Sequence, residues 1–336
     1  MTSTNEFPIL DFSRFNTDFE GFANDIFAAS NTWGFFVLTG HGVPGVGSMY
    51  DLSRQFFDLA LEEKAEKIID RTLTGYDGAK LTTFAASEGI SFGLPAGSVM
   101  GTENLPSWWD TPKRQTIEDF KASCYDLSIS IMSCFAVKLG LGNSHFTDVH
   151  QHKDPGNVLK FIKYPRFEQQ PEGVPRLSEH TDWGSITFVF TEQPGLEIRD
   201  PSNEWFEIPA VPGGVVVNIG DALSLWSKKS LKSTMHRISW KNLDVSNDRL
   251  SVVYFTHPNH DAILSSPTGD SSTEGTSVLT YKEYLKIRSS LTYGSIRKAG
   301  EDGEDFEALD EAIIEMVKSL NVANSGVLES HQLEVV

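Results

Sequence analysis

The chain has 336 residues, 39% hydrophobic and 11% aromatic, enough material for a packed core and far from the composition of a disordered chain. A formal net charge of −18 (Lys+Arg 28, Asp+Glu 46) argues against a nucleic-acid surface or an anionic membrane as partner. It leaves room for a small anionic ligand, because one local arginine reverses the field inside a pocket. No apolar run approaches the roughly 20 residues that span a bilayer. The opening MTSTNEFPILDFSRF has no basic segment followed by an apolar block, so no signal peptide is expected.

Phe7 to Phe12 is a short apolar run suited to a strand, and Pro8 places it near a sheet edge. Phe19, Phe22, Ala23, Ile26 and Phe27 recur at helical spacing and predict an amphipathic helix. Gly34 to Thr39 reads as a buried strand running into the turn-forming GHGVPG, where His41 is expected to bond local backbone rather than a metal. Helical patterning runs from Val46 to Ala60 and on through LEEKAEKII. From Gly75 to Pro112 periodicity is lost. That stretch, with Phe84, Phe92, Trp108 and Trp109, reads as a long irregular loop, either a pocket wall or aromatics tacking a surface loop onto the core. Lys113 to Gly140 restores order: Ile117, Phe120, Cys124, Leu127, Ile131 and Phe135 step by three or four, predicting a long helix on which a sheet rests, with Gly140 or Gly142 as its cap. Cys124 and Cys134 fall on it about 15 Å apart, too far to pair, which fits a reducing, cytosolic setting.

The second half reads as strands: Val158 to Tyr164, Ser185 to Thr191, Leu196 to Arg199, Trp205 to Ile208, Val215 to Ile219, Thr234 to Trp240 and Leu250 to Thr256. Many short strands separated by Pro, Gly, Asn and Asp signal a sandwich or barrel. A polar Ser265 to Ser277 insertion, helices at Leu279 to Ser289 and Phe306 to Leu320, and a loose tail after Asn321 complete the expectation. There is no internal repeat.

The chemistry centres on LSEHTDWGSITFVF. In the strand period of two, His180 and Asp182 share one face, and His236 in STMHRISW offers a third ligand. Two imidazoles and one carboxylate make the facial triad of non-haem Fe(II) oxygenases, which leaves positions open for chemistry. A lone His-x-Asp is common by chance, so the neighbours matter. Arg249 and Ser251 are two apart on the next strand-like run, and a guanidinium fork beside a hydroxyl is a good carboxylate receptor. Such a pair is usually a solvated strand face. Here one strand, a turn and an antiparallel return are expected to bring it back beside His236. Asn218, Gly220 and Asp221 read as a turn and helix cap, Arg237 as structural, His257 and His260 as rim residues, and Trp183 and Trp226 as core.

These residues carry a resemblance. FPILDF, WGFFVLTGHGVP and FFDLALEEK, then KYPR, HTDWGSIT, GLEIRD, EWFEIP, GGVVVNIGDALSLWS, KSTMHRI and RLSVVYFTHP in order, make most of the chain similar to the 2-oxoglutarate/Fe(II)-dependent dioxygenase superfamily, in its isopenicillin N synthase-like branch. The resemblance implies metal ligands at His180, Asp182 and His236, and a 2-oxoglutarate clamp at Arg249, Ser251 and Tyr164. Ile162 stands where many members have an asparagine, and Gly40 where Asn usually precedes His-Gly. It also implies a mainly β fold with flanking α, a double-stranded β-helix (jelly roll) with N- and C-terminal helices packed on it. The expected organisation is an N-terminal region over 5–115, a catalytic core over 155–260 and C-terminal loop and helices over 261–336, forming one structural unit. The implied activity uses Fe(II), 2-oxoglutarate, O2 and ascorbate as reductant to hydroxylate or desaturate a small specialised metabolite, or to form or expand a ring in it, releasing succinate and CO2. A cytoplasmic enzyme with no nucleic-acid, membrane or obligatory protein partner is expected. An oxidase using O2 without 2-oxoglutarate, and a non-catalytic binding module on the same fold, are the alternatives.

Overall fold

The computed structural model describes residues 6–70, 72–78, 87–93, 104–151, 156–166, 175–244, 246–265 and 279–293. The chain divides into two compact units, Met1–Asn259 and His260–Val336. The first contains β1 (Ile9–Asp11), α1 (Arg14–Thr17), α2 (Phe19–Thr32), β2 (Phe35–Thr39), α3 (Val46–Phe57), α4 (Leu61–Lys64), β3 (Thr74–Asp77), β4 (Glu88–Phe92), α5 (Thr111–Lys138) and β5 (Val158–Tyr164). It continues with β6 (Leu177–His180), β7 (Ile186–Phe190), β8 (Leu196–Arg199), β9 (Trp205–Glu207), β10 (Val215–Ile219), α6 (Asp221–Trp226), β11 (His236–Ile238) and β12 (Arg249–Thr256). In the second unit β13 (Ile263–Ser265) pairs with β14 (Leu279–Thr280), which leads into α7 (Tyr281–Tyr293). The expected polar insertion, apart from its first residue, the expected helix from Phe306 and the tail lie outside the described residues.

Two sheets build the first unit. The larger has eight strands in the order β1-β2-β10-β7-β12-β5-β4-β3, and the smaller four, β6-β11-β8-β9. β1 is an edge strand, as Pro8 predicts, pairing in parallel with β2. The central strands of the larger sheet bury both faces, and each face has its own core. Phe161, Phe188, Phe190, Val217, Val252 and Tyr254 pack with Phe22, Ile26, Phe56, Phe120 and Phe135 of the helices. On the opposite face Phe35, Val37, Tyr164 and Val216 pack with Leu196, Ile198 and Ile238 of the smaller sheet. Period-two alternation decides which residues go where. On β12, Val252 and Tyr254 face the helices, so Arg249 and Ser251 face the smaller sheet. α5 is started by Asp110, whose side chain accepts from the Lys113 N–H, with Pro112 in the first turn.

Three expectations change. The helix from Val46 stops at Phe57; α4 is a single turn, and Ile68 then bridges Tyr76. The amphipathic pattern gives way there because the buried Lys64 ammonium reaches the Phe57 carbonyl and the Glu88 carboxylate, at 3.0 and 2.7 Å. The stretch read as an irregular loop contains β3 and β4, which extend the larger sheet, and Trp109 is fully buried. EGISF has little strand propensity of its own; pairing on both sides with β3 and β5 overrides it. Finally, β11 and β12 do not form a hairpin. β11 lies between β6 and β8 in the smaller sheet, and β12 between β5 and β7 in the larger. Arg249 therefore reaches the interior from the opposite wall.

Candidate active site

His236 on β11 sits directly opposite His180 on β6 in antiparallel register, so the two imidazoles are neighbours with centroids 4.2 Å apart. β6 ends at His180, and Asp182 lies on the turn beyond it rather than on the same strand. The main chain of α6 holds that turn: the Asp221 N–H donates to the Asp182 carbonyl at 2.7 Å and the Ala222 N–H to the Gly184 carbonyl at 3.1 Å. Asp221 also accepts from Thr181 at 3.0 Å and from Ser233 at 2.6 Å, tying together the two segments that carry the imidazoles. One carboxylate oxygen, Asp182 Oδ1, is 3.8 Å from His180 Nε2 and 3.7 Å from His236 Nε2. Among the described residues these three form a cluster whose ligand atoms all lie within 4.8 Å of one another.

The donor set fits a divalent transition metal. The Nδ1 atoms of His180 and His236 lie 2.9 and 3.2 Å from the carbonyls of Ser178 and Thr234. With those nitrogens protonated and donating, both Nε2 lone pairs point at the cluster. Burial pushes His236 down to about 4, with His180 adding to the effect against the pull of Asp182, so its imidazole is neutral at pH 7. Burial opposes charge on Asp182 too, but His236, His180 and hydrogen bonds from Asn218 and Thr187 outweigh it and hold the carboxyl below its usual range.

Asn218 is not the turn residue its sequence context suggests. It is the inward-facing residue of β10, donating from Nδ2 to Asp182 Oδ2 at 2.7 Å. The signal is present in VVVNI: a lone amide in an otherwise apolar buried strand needs a partner. His41 does accept from the nearby Val43 N–H, and Arg237 pairs outward with Glu197. Trp226 packs on the core, whereas Trp183, beside Asp182, is only half-buried and belongs to neither core.

Arg249 lies across from Tyr164, and Ser251 across from Ile162, on the interior face. Arg249 is 3% exposed. Its Nη1 donates to Ser251 Oγ at 2.6 Å and its Nε to the Pro194 carbonyl at 3.1 Å, while the buried Nη2 has no hydrogen-bond partner among the described residues. Burial lowers its pKa, and among the described residues the groups that counter this are the phenols of Tyr164 and Tyr50. A cavity of about 110 Å³ is lined by Arg249, Tyr164, Arg176, Gln193, Pro194 and Trp240 among others.

A half-open ligand set of two imidazoles and a carboxylate inside a β barrel-like core is the arrangement of a non-haem iron oxygenase. Residues 153–258 match the model of the 2OG-Fe(II) oxygenase superfamily, and residues 7–106 that of the non-haem dioxygenase N-terminal region, described from morphine synthesis. A homoarginine-6-hydroxylase of Glycine max is 31% identical over 69% of this chain and 76% of its own. Clavatol oxidase of Penicillium crustosum is 28% identical over 85% of this chain and 96% of its own. The crystal structure of a full-length Neurospora crassa protein in complex with alpha-KG and thymine superposes with a TM-score of 0.73 at 27% identity, over 85% of this chain and 97% of that one. The chain belongs to the 2OG-Fe(II) oxygenase superfamily. It is a 2-oxoglutarate-dependent dioxygenase with a jelly-roll core, an oxidoreductase that uses Fe(II) and 2-oxoglutarate.

Proposed function

We propose that His180, Asp182 and His236 hold the Fe(II), that Arg249, Ser251 and Tyr164 bind the far carboxylate of 2-oxoglutarate, and that the enzyme tailors a small metabolite. The observation that carries the co-substrate assignment is the buried Arg249 guanidinium: among the described residues its Nη2 is unpartnered and no acidic group acts on it. A buried cation without a counter-charge costs several kcal/mol, which a carboxylate ligand offsets. When bound, the iron couples O2 to decarboxylation of 2-oxoglutarate, giving succinate and CO2, and oxidises the substrate by hydroxylation, desaturation or ring formation.

The protein's own groups do the rest. The Ser178 and Thr234 carbonyls fix the ring orientation and leave the Nε2 atoms of both imidazoles toward the cluster. Asn218 occupies the second Asp182 oxygen, so the carboxylate presents one oxygen to the metal. Arg249 and Ser251 orient the diacid from the opposite sheet, and the apolar residues between the sheets exclude water from the reacting end. Relatives named for homoarginine and clavatol, and a neighbour solved with thymine, support a small-molecule substrate. The −18 charge supports the same reading over nucleic acid or an anionic membrane. Ascorbate is the reductant we expect to keep the iron ferrous. A cytoplasmic location, with no obligatory protein partner, is consistent with two buried free cysteines, Cys124 and Cys134, and with the absence, among the described residues, of any helix long and apolar enough to cross a membrane.

Arg249→Gln tests the assignment. It keeps length and some hydrogen bonding but removes the charge and the fork. Loss of a desolvated charged pair costs about 2–5 kcal/mol, so the dissociation constant of 2-oxoglutarate should rise roughly 30-fold or more. Titration into the anaerobic Fe(II) protein, followed by its metal-to-ligand absorption, measures this. Unchanged affinity removes Arg249 from the site.

A further inference from the structure

The cluster of His180, Asp182 and His236 has one wall that comes from the N-terminal region. Phe35, the first residue of β2, is fully buried, and its ring meets the His236 imidazole edge-to-face, with centroids 5.3 Å apart and planes at 67°. Sheet register puts it there. Phe35 lies across from Asn218, the donor to Asp182, on the face of the larger sheet that meets the smaller one. Its neighbour Phe36 is as deeply buried but falls on the other face and packs with the helices.

The main chain beside Phe35 is tied to the segment that leads into β11. The Trp33 carbonyl accepts from Thr234 Oγ1 at 2.8 Å, and the carbonyl of that same Thr234 lies 3.2 Å from His236 Nδ1. Two further bonds close the seam: the Lys232 N–H donates to the Ser30 carbonyl at 3.0 Å, and Asn31 Nδ2 to the Ser230 carbonyl at 2.7 Å. Gly34 permits this approach. Its φ is +69°, and a Cβ there would collide with the Lys232 carbonyl oxygen and Thr234 Oγ1. His236 is thus supported twice from the N-terminal region. Its Nδ1 bonds a carbonyl whose own residue is anchored on Trp33, and its ring is flanked by Phe35. One hydrogen bond leaves an imidazole able to swing about it; an aromatic edge packed beside the ring removes that freedom.

We propose that the segment Trp33–Phe35 is part of the metal centre, with Phe35 positioning the His236 imidazole from the side and Thr234 carrying its backbone support. This rests on the reading that His236 is a metal ligand. The test titrates Co(II), a spectroscopic stand-in for Fe(II), into the metal-free full-length protein. Its visible ligand-field bands report the geometry of the ligand set as well as the affinity.

His236→Ala should all but abolish Co(II) binding. If it does not, the metal reading itself fails, whatever Phe35 does. Phe35→Leu should weaken Co(II) about tenfold, as loss of an outer partner does, and shift the ligand-field bands. Phe36→Leu, at the same depth on the opposite face, should lower the thermal midpoint of the metal-free protein by a similar amount while leaving affinity and bands unchanged. Thr234→Val should weaken Co(II) in the same direction, and Thr234→Ser, which keeps the hydroxyl, should restore it. Equal loss of affinity in Phe35→Leu and Phe36→Leu makes the effect one of general stability and overturns the proposal. Wild-type affinity and bands in Phe35→Leu overturn it too. Should Phe35→Leu fail to fold, judged by circular dichroism, the Thr234 pair decides, and wild-type affinity in Thr234→Val then overturns it.

Discussion

At the scale of the residue, the metal cluster depends on how Asp182 is held. Its carboxylate supplies the anionic ligand of the proposed set, so Asp182→Ala should abolish turnover and Fe(II) binding while the fold survives; an anaerobic iron titration beside a circular dichroism spectrum checks both. Asn218 has a subtler part. Removing it in Asn218→Ala leaves Asp182 Oδ2 without its 2.7 Å donor and frees the carboxylate to rotate. Loss of such an outer partner typically costs 10–100-fold in metal affinity. The variant should therefore bind iron about 10–100-fold more weakly with little change in thermal stability. Wild-type affinity in Asn218→Ala would mean that Thr187 and the main chain hold Asp182 without it.

Elements position these residues through close backbone approach. The turn from Thr181 to Ser185 lies against the start of α6, where the Gly220 N–H donates to the Ser185 carbonyl at 2.9 Å. A Cβ at Gly220 would meet the Gly184 carbonyl oxygen at 2.2 Å. Neither chain can yield cheaply, since both are bonded to each other. Gly220→Ala should destabilise by about 1–3 kcal/mol, the usual cost of overpacking, and weaken iron binding with it. Urea denaturation of the metal-free protein reads the first effect, and a wild-type midpoint would show that the turn is pliable. The contact between β4 and α4 is a second such junction. Glu88, 4% exposed, accepts from Lys64 at 2.7 Å and from the Tyr76 hydroxyl at 2.8 Å. Lys64→Met strips the nearer cation from a buried carboxylate and should cost about 3–5 kcal/mol by the same assay.

Stability as a whole responds to pH through buried histidines. His150 is fully buried between the Phe146 carbonyl and Ser185 Oγ, and burial pushes it down to about 4. His236 is pushed to about 4 for the same reason. Between the ordinary value near 6.5 and about 4 the unfolded chain binds more protons than the folded one. The stability these groups contribute is therefore complete above about pH 6.5 and is lost as pH falls to about 4. Metal-free protein should show this decline in unfolding free energy across that window. Saturating Fe(II) should raise stability at pH 7 by about 2.7 kcal/mol at a hundredfold excess over its dissociation constant. Asp182→Ala should show the pH decline without the gain from iron. A flat profile between pH 6.5 and 4 would place His150 in contact with solvent.

Much of this was legible from residue order alone, because hydrophobic period reports local geometry. Eight-residue β12 and the strands around it announced themselves by β-branched runs between turn residues, and α5 by apolar steps of three and four. His180, Asp182, His236, Arg249 and Ser251 stood out as chemistry-bearing residues in or beside strand-like runs. Pairing was not legible. Whether Arg249 returned beside His236 in a hairpin or faced it from another sheet depends on which strand edges meet, and a three-residue β11 has too little pattern to say. Glu88 to Phe92 lacked strand propensity and became a strand because β3 and β5 flank it. Asn218 showed only as a polar residue in apolar company. Its partner, the Asp182 carboxylate, lies 36 positions away in the chain and is brought near by sheet register. Local periodicity is written in neighbouring residues; long-range register is set only when the two cores are packed.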